Sequence, residues 1–159
     1  MPTPLRRAHI YVAEGKPAIV APLHFNSAGI LYEQENPLIA LNATWQGVVP
    51  SLRDALQRFS FRDANLRDHL LTDWPSYKAS GLRTVRQFQS DYHVVQIAAV
   101  NEAELFFHAS SQPRDEKDVT LNVTLNPYST DEEIARLLGR LFDACLRWPT
   151  AIAEGLDSE

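Results

Sequence analysis

The side chains of this sequence best suited to acid–base work near neutral pH are five histidines, at positions 9, 24, 69, 93 and 108. No two of them stand three or four residues apart, the spacing that would bring a pair onto one helix face to share a metal. His9, His24, His93 and His108 fall in or beside runs that read as strands, where a solitary imidazole is most often structural. His69 follows Asp68, and an imidazole beside a carboxylate is the pair from which a small hydrolase or metal-dependent enzyme could be built. No nucleophile stands near that pair in the sequence. The run Asp115, Glu116, Lys117, Asp118 has the carboxylate density of a metal-nuclease cluster, but on a polar hairpin loop such a run is ordinarily solvated.

Other chemistries find less support. The six glycines never take the spacing of a phosphate-cradling loop. The single cysteine, Cys145, cannot make an intrachain disulfide, zinc-site spacings are missing, and its place on an apolar helical stripe reads as packing. Asp131, Glu132 and Glu133 occupy a helical first turn, where the helix dipole alone favours carboxylates. The expectation is therefore no catalytic residue, no metal ligand and no cofactor.

What remains is the irregular middle of the chain. Trp45, Trp74 and Tyr77 flank Arg53, Asp54, Arg58, Arg62, Asp63, Arg67, Asp68 and Asp73. Large aromatics and arginine are what protein interfaces use as anchors, with charged pairs supplying specificity. Trp45 reads as core; Asp63, Asp68 and Asp73 read as interface.

The elements that must position these residues follow from period and turn chemistry. Residues 8–13 and 18–25 are apolar runs joined by a turn at Glu14, Gly15, Lys16 and Pro17, and residues 30–32 and 38–41 add short pieces, giving a meander of three or four strands. Ser51 can cap a helix over residues 52–59, in which Leu52, Ala55, Leu56 and Phe59 share one face. A second helix is expected over residues 61–71, then a break at Asp73, Trp74, Pro75 and Ser76. Thr84 and Gln87 have capping-box spacing for one short helix ending near Ser90.

Residues 94–100 and 105–109 form a second hairpin, and residues 119–125 alternate as a strand with one wet face. Thr130 and Glu133 cap a last helix carrying Ile134, Leu137, Leu138, Leu141, Phe142 and Cys145, which Trp148 and Pro149 stop. The fold class expected is α+β: a mostly antiparallel sheet of five to six strands, a long C-terminal helix and short helices packed on the sheet. One domain spanning residues 1–159 accounts for all of it, with the last ten residues frayed.

Length and charge bound the function. A chain of 159 residues, 45% hydrophobic, buries roughly 70% of its unfolded surface without staples. No signal-peptide pattern opens it, no stretch reaches membrane-spanning length, and a lone cysteine suits a reducing compartment, so the expected location is cytoplasmic. Net charge is −5, with the acid concentrated late in the chain; the 12 Arg and 3 Lys interleave with Asp where they concentrate. Direct binding of nucleic acid needs clustered cations and is disfavoured. A basic protein partner fits better.

From Trp74-Pro75-Ser76-Tyr77-Lys78-Ala79-Ser80-Gly81 to Thr84-Val85-Arg86-Gln87-Phe88, and again from Leu125 through Ser129, Thr130, Asp131, Glu132, Glu133 and Ile134 to Gly139, the order of features resembles bacterial immunity proteins of contact-dependent growth inhibition systems. The likeness spans residues 70–147. It implies a non-enzymatic protein that binds the toxic C-terminal domain of a large effector, often a nuclease, and blocks its active site or substrate surface. On that reading Glu33, Glu35, Asp63, Asp68 and Asp73 stand in for phosphate against a basic toxin, with Trp74 beside them. The oligomeric state is left open. The alternatives are the hydrolase or metal-dependent enzyme using His69 and Asp68, and a chaperone-like adaptor with several partners.

Overall fold

The computed structural model describes residues 5–40, 45–63, 73–101, 103–110 and 120–146. The first two apolar runs become β1 (Arg7–Val12) and β2 (Ala18–Phe25), antiparallel, with Ile10 opposite Val20. Their connection passes through Gly15 at φ 66°, a left-handed conformation that glycine adopts without a Cβ penalty.

The expected meander takes a different course beyond β2. Strands β3 (Leu31–Glu33) and β4 (Leu38–Ala40) run in line along one edge of β2, β3 against residues 23–25 and β4 against residues 18–20. The four residues between them stand against only two of β2, with Gln34 buried and Asn36 at φ 60°.

Helix α1 (Trp45–Arg58) starts six residues before Ser51 and holds Pro50 inside it. Proline reads as a boundary because it has no N–H to give the carbonyl four residues back. Here burial of Val48 and Val49, in line with Leu52, Ala55 and Leu56, outweighs that one lost bond. Phe59 lies beyond the helix end and stacks on Phe25 at 5.4 Å.

The helix expected over residues 61–71 gives way at its start to a two-residue strand, β5 (Ser60–Phe61), parallel to β2; residues 64–71 lie outside the described residues. Pro75, expected to break the pattern, opens α2 (Pro75–Ser80), which ends at Gly81 with φ 68°. Helix α3 (Val85–Asp91) is capped as its sequence predicts, Thr84 Oγ1 accepting from the Gln87 N–H at 3.1 Å.

Strands β6 (His93–Asn101), β7 (Glu104–Ser110) and β8 (Thr120–Leu125) complete the sheet, and α4 (Asp131–Leu146) closes the described chain. Both halves of its capping box form: the Glu133 N–H reaches Thr130 Oγ1 at 3.2 Å and the Thr130 N–H reaches Glu133 Oε2 at 2.9 Å. The strand order is β3-β2-β1-β6-β7-β8, with β4 and β5 also on β2. Every pairing is antiparallel except that of β5. The α+β class, the antiparallel sheet, the long C-terminal helix and the short helices agree with the sequence expectation.

The sheet is covered unequally. One face carries Ala8, Ile10, Val12, Val20, Val95, Ile97, Phe107 and Leu125 and packs on α1 and α4 through Val49, Leu52, Leu138 and Phe142. The two helices approach closely at Gly139, where an added Cβ would lie 2.7 Å from Trp45 Cδ1, and Trp45 packs against Phe142 at 4.4 Å. A mid-helix glycine costs about 1 kcal/mol relative to alanine, and this contact explains its presence. On the other face a second cluster sets Tyr11, Ala13, Ile19 and Ala21 beneath Phe88 and Tyr92 of the α3 region, with Trp74, Tyr77 and Leu82 packed around them. Among the described residues no helix is long and apolar enough to cross a membrane.

Candidate interaction surface

Among the described residues the histidines do not assemble. His9 and His108 share one cross-strand row, His9–Gln96–His108–Asn122, but Gln96 separates them. His108 Nδ1 lies 2.8 Å from Asn122 Oδ1. His24 Nδ1 lies 2.8 Å from Ser60 Oγ, and burial and the nearby guanidinium of Arg62 hold that imidazole below its ordinary pKa. Among the described residues no three His, Cys, Asp or Glu side chains are grouped to hold a metal ion. Asp68, His69 and residues 115–118 lie outside the described residues. Cys145 is fully buried on α4, and burial pushes its thiol up to about 12, far from thiolate reactivity at neutral pH.

Glu33, at the end of β3, does come to a focus, and it is an internal one. Its Oε1 accepts from the Tyr11 hydroxyl at 2.5 Å and from Trp74 Nε1 at 2.9 Å, while Oε2 accepts from the Ser76 N–H at 2.9 Å. Three donors from β1, the residue before α2 and α2 itself thus converge on one carboxylate. This pins α2 over the sheet. Phe88 sits 5.2 Å from the Tyr11 ring and 4.9 Å, edge to face, from Trp74. Two polar atoms beside the cluster, His9 Nδ1 and Ser76 Oγ, are buried with no hydrogen-bond partner among the described residues.

This environment makes two residues titrate in opposite senses. Burial, then the Glu33 charge and hydrogen bond, drives the Tyr11 phenol well above its ordinary value. Burial and Arg7 hold His9 below its ordinary value, against the pull of Glu33. The folded protein keeps the Tyr11 proton that the unfolded chain releases near pH 10, so stability falls as pH rises beyond about 10. The folded protein refuses the His9 proton that the unfolded chain takes up near pH 6.5, so stability also falls as pH drops below about 6.5. Urea midpoints measured across pH should therefore peak between these limits, and Tyr11→Phe should flatten the alkaline side. Part of the alkaline loss should survive, because burial raises Tyr32 and Tyr92 as well.

A second focus lies at the far end of β2. Phe25 pairs with Leu31 of β3 on one side and with Phe61 of β5 on the other, so the three form one row across three strands. Phe61 meets Phe25 edge to face at 5.2 Å yet remains 56% exposed, and Ile30 is 49% exposed. The backbone here is tied down from several directions. Asn26 Oδ1 accepts from the N–H groups of Ala28 and Ile30, and the Asn26 N–H donates to the Ile30 carbonyl. The Arg62 N–H donates to the Phe25 carbonyl, and the Tyr32 hydroxyl donates to the Arg62 carbonyl. The buried Gln34 amide donates to the carbonyls of Leu23 and Arg58.

The sequence-derived contact residues are thereby separated. Glu33 and Trp74 belong to the internal cluster. Glu35 and Asp63 are exposed, Asp63 accepting from Ser27 Oγ at 2.9 Å. Asp73 is exposed and ion-paired with Lys78 at 3.4 Å. Asp68 lies outside the described residues. Phe61 and Ile30 escaped the sequence reading, because a lone phenylalanine before a leucine pattern reads as the start of a helix. The available signal was the Asn26-Ser27-Ala28-Gly29 turn, which sets Ile30 at an exposed corner.

No family model and no curated protein matches the chain. Solved structures share its fold, and two of them are the following. A protein of unknown function, NMB0488 from Neisseria meningitidis, aligns with TM-score 0.64 at 16% identity over 83% of this chain and 90% of that one. A chain of the CdiA-CT/CdiI toxin and immunity complex from Yersinia pseudotuberculosis aligns with TM-score 0.64 at 14% identity over 91% of this chain and 98% of that one.

Proposed function

We propose that this chain is a non-enzymatic immunity protein that binds and neutralises a cognate contact-dependent growth inhibition toxin domain, a nuclease in the reading the sequence favours. The carrying observation is the fold shared, over nearly its whole length, with a chain of a toxin and immunity complex. Residues 70–147 point the same way by motif order. Binding acts in the cytoplasm and covers the active site or substrate surface of the toxin. The chain's net charge of −5 suits a basic partner and would speed encounter with it. Exposed carboxylates, Glu35, Asp63 and Asp73 among them, supply the contrast to a cationic toxin surface.

The test is direct. The purified protein, titrated calorimetrically into the toxic C-terminal domain encoded immediately upstream of its gene, should form a one-to-one complex and abolish that domain's activity in solution. Absence of both association and protection refutes the reading. A gain of turnover by the chain alone, lost in His69→Ala, would favour the enzyme instead.

A further inference from the structure

Surface phenylalanine and isoleucine side chains cost solubility, and a fold retains a contiguous group of them where they serve contact. The corner built by β2, β3 and β5 holds such a group: Phe61, 56% exposed, meets Phe25 edge to face and Phe59 stacks on Phe25, while Ile30, 49% exposed, lies one residue before Leu31 of the same row. Hydrogen bonds from Asn26, Tyr32 and Gln34 and the Arg62–Phe25 backbone bond fix this corner, and they leave about half of the Phe61 and Ile30 side chains exposed. A contact surface already rigid in its bound shape loses little entropy on binding.

Charge indicates the occupant. Asp63 borders the turn through Ser27, and Glu35 lies just past β3. Neither makes an ion pair among the described residues. Arg58, the cation next to Glu35, is spent on Asp54 at 3.7 Å and on the backbone carbonyls of Glu35 and Asn36. Among the described residues, the charges here without an ion pair are two carboxylates and one cation, Arg62. An apolar knob flanked by free carboxylates is complementary to an apolar slot lined by Lys or Arg.

We infer that the Phe61–Ile30 corner, flanked by Asp63 and Glu35, is the surface through which this chain engages its partner, a folded basic protein that receives Phe61 in an apolar slot. This rests on the immunity reading and names the face it uses.

The experiment titrates the upstream-encoded toxin domain with the full chain and with Phe61→Ser, Ile30→Ser, Asp63→Asn and, as a control on an exposed aromatic outside the β2–β3–β5 corner, Tyr128→Ser. Phe61→Ser should weaken binding at least about 30-fold, the scale of an interface hot spot, and Ile30→Ser about tenfold. Asp63→Asn should slow association several-fold and flatten its salt dependence. Tyr128→Ser should bind like the parent chain. Hydrogen exchange on the unsubstituted complex should show protection at residues 24–32 and 59–63, a readout that survives if Phe61→Ser misfolds. Parent-level binding by Phe61→Ser and Ile30→Ser, or protection elsewhere with none at this corner, overturns the surface while leaving the immunity reading intact. Failure of the unsubstituted chain to bind overturns both.

Discussion

Glu33→Ala is expected to destabilise the protein by about 3 kcal/mol, because three donors lose their acceptor at once and each unsatisfied buried donor costs roughly 1–3 kcal/mol. The Tyr11 hydroxyl and the Ser76 N–H belong to buried residues, and the Trp74 indole N–H to a half-buried one. The lower end of that range applies to each, since Glu33 is itself half-buried and water can reach part of the site. Glu33→Gln should cost about half as much: its amide oxygen still accepts, but its NH2 group faces a donor where the second carboxylate oxygen stood. Urea unfolding followed by far-UV circular dichroism measures both. A Glu33→Ala change below about 0.5 kcal/mol, the range of ordinary surface substitutions, would show that the three bonds hold nothing together.

That cluster marks where the sequence stops being legible. Capping is local, so Thr84 with Gln87 and Thr130 with Glu133 announce their bonds within four residues, and both form. Hairpin and period-2 patterns are local too; the first places β6 and β7, and the second β8, to within a residue or so. Glu33 collects donors from positions 11, 74 and 76, and no window on the sequence contains all three. It therefore read as a free surface acid. Phe61 failed for a related reason, since its strand exists only because Ser60 and Phe61 meet His24 and Phe25 from 36 positions away. Ser51 erred in the opposite direction: a local capping signal placed the helix start six residues late, because packing of Val48 and Val49 lies outside what local rules see.

The second cluster also predicts that the two faces of the sheet come apart unequally. Phe88 is 1% exposed and lies 4.9–6.1 Å from the rings of Trp74, Tyr92, Tyr11 and Tyr77. Phe88→Ala should remove roughly 3–5 kcal/mol of stabilisation, the usual cost of deleting a buried phenylalanine. Most of that loss should be local. The six buried residues of this cluster are distinct from those of the α1–α4 core, which meets them only through the opposite face of the same strands. Native-state hydrogen exchange should then show residues 75–91 opening far more readily in Phe88→Ala, while α1, α4 and β7 keep nearly parental protection. Equal acceleration in α1 and α4 would mean that both faces form one cooperative unit. The distinction bears on binding, because Glu33 ties α2 to β3, and β3 supplies one flank of the Phe61–Ile30 corner. If α2 and α3 open alone, that corner loses one of its supports without global unfolding. Phe88→Ala should then weaken toxin binding through a higher entropic cost of ordering the corner, although Phe88 is a buried residue of α3 and lies outside the corner.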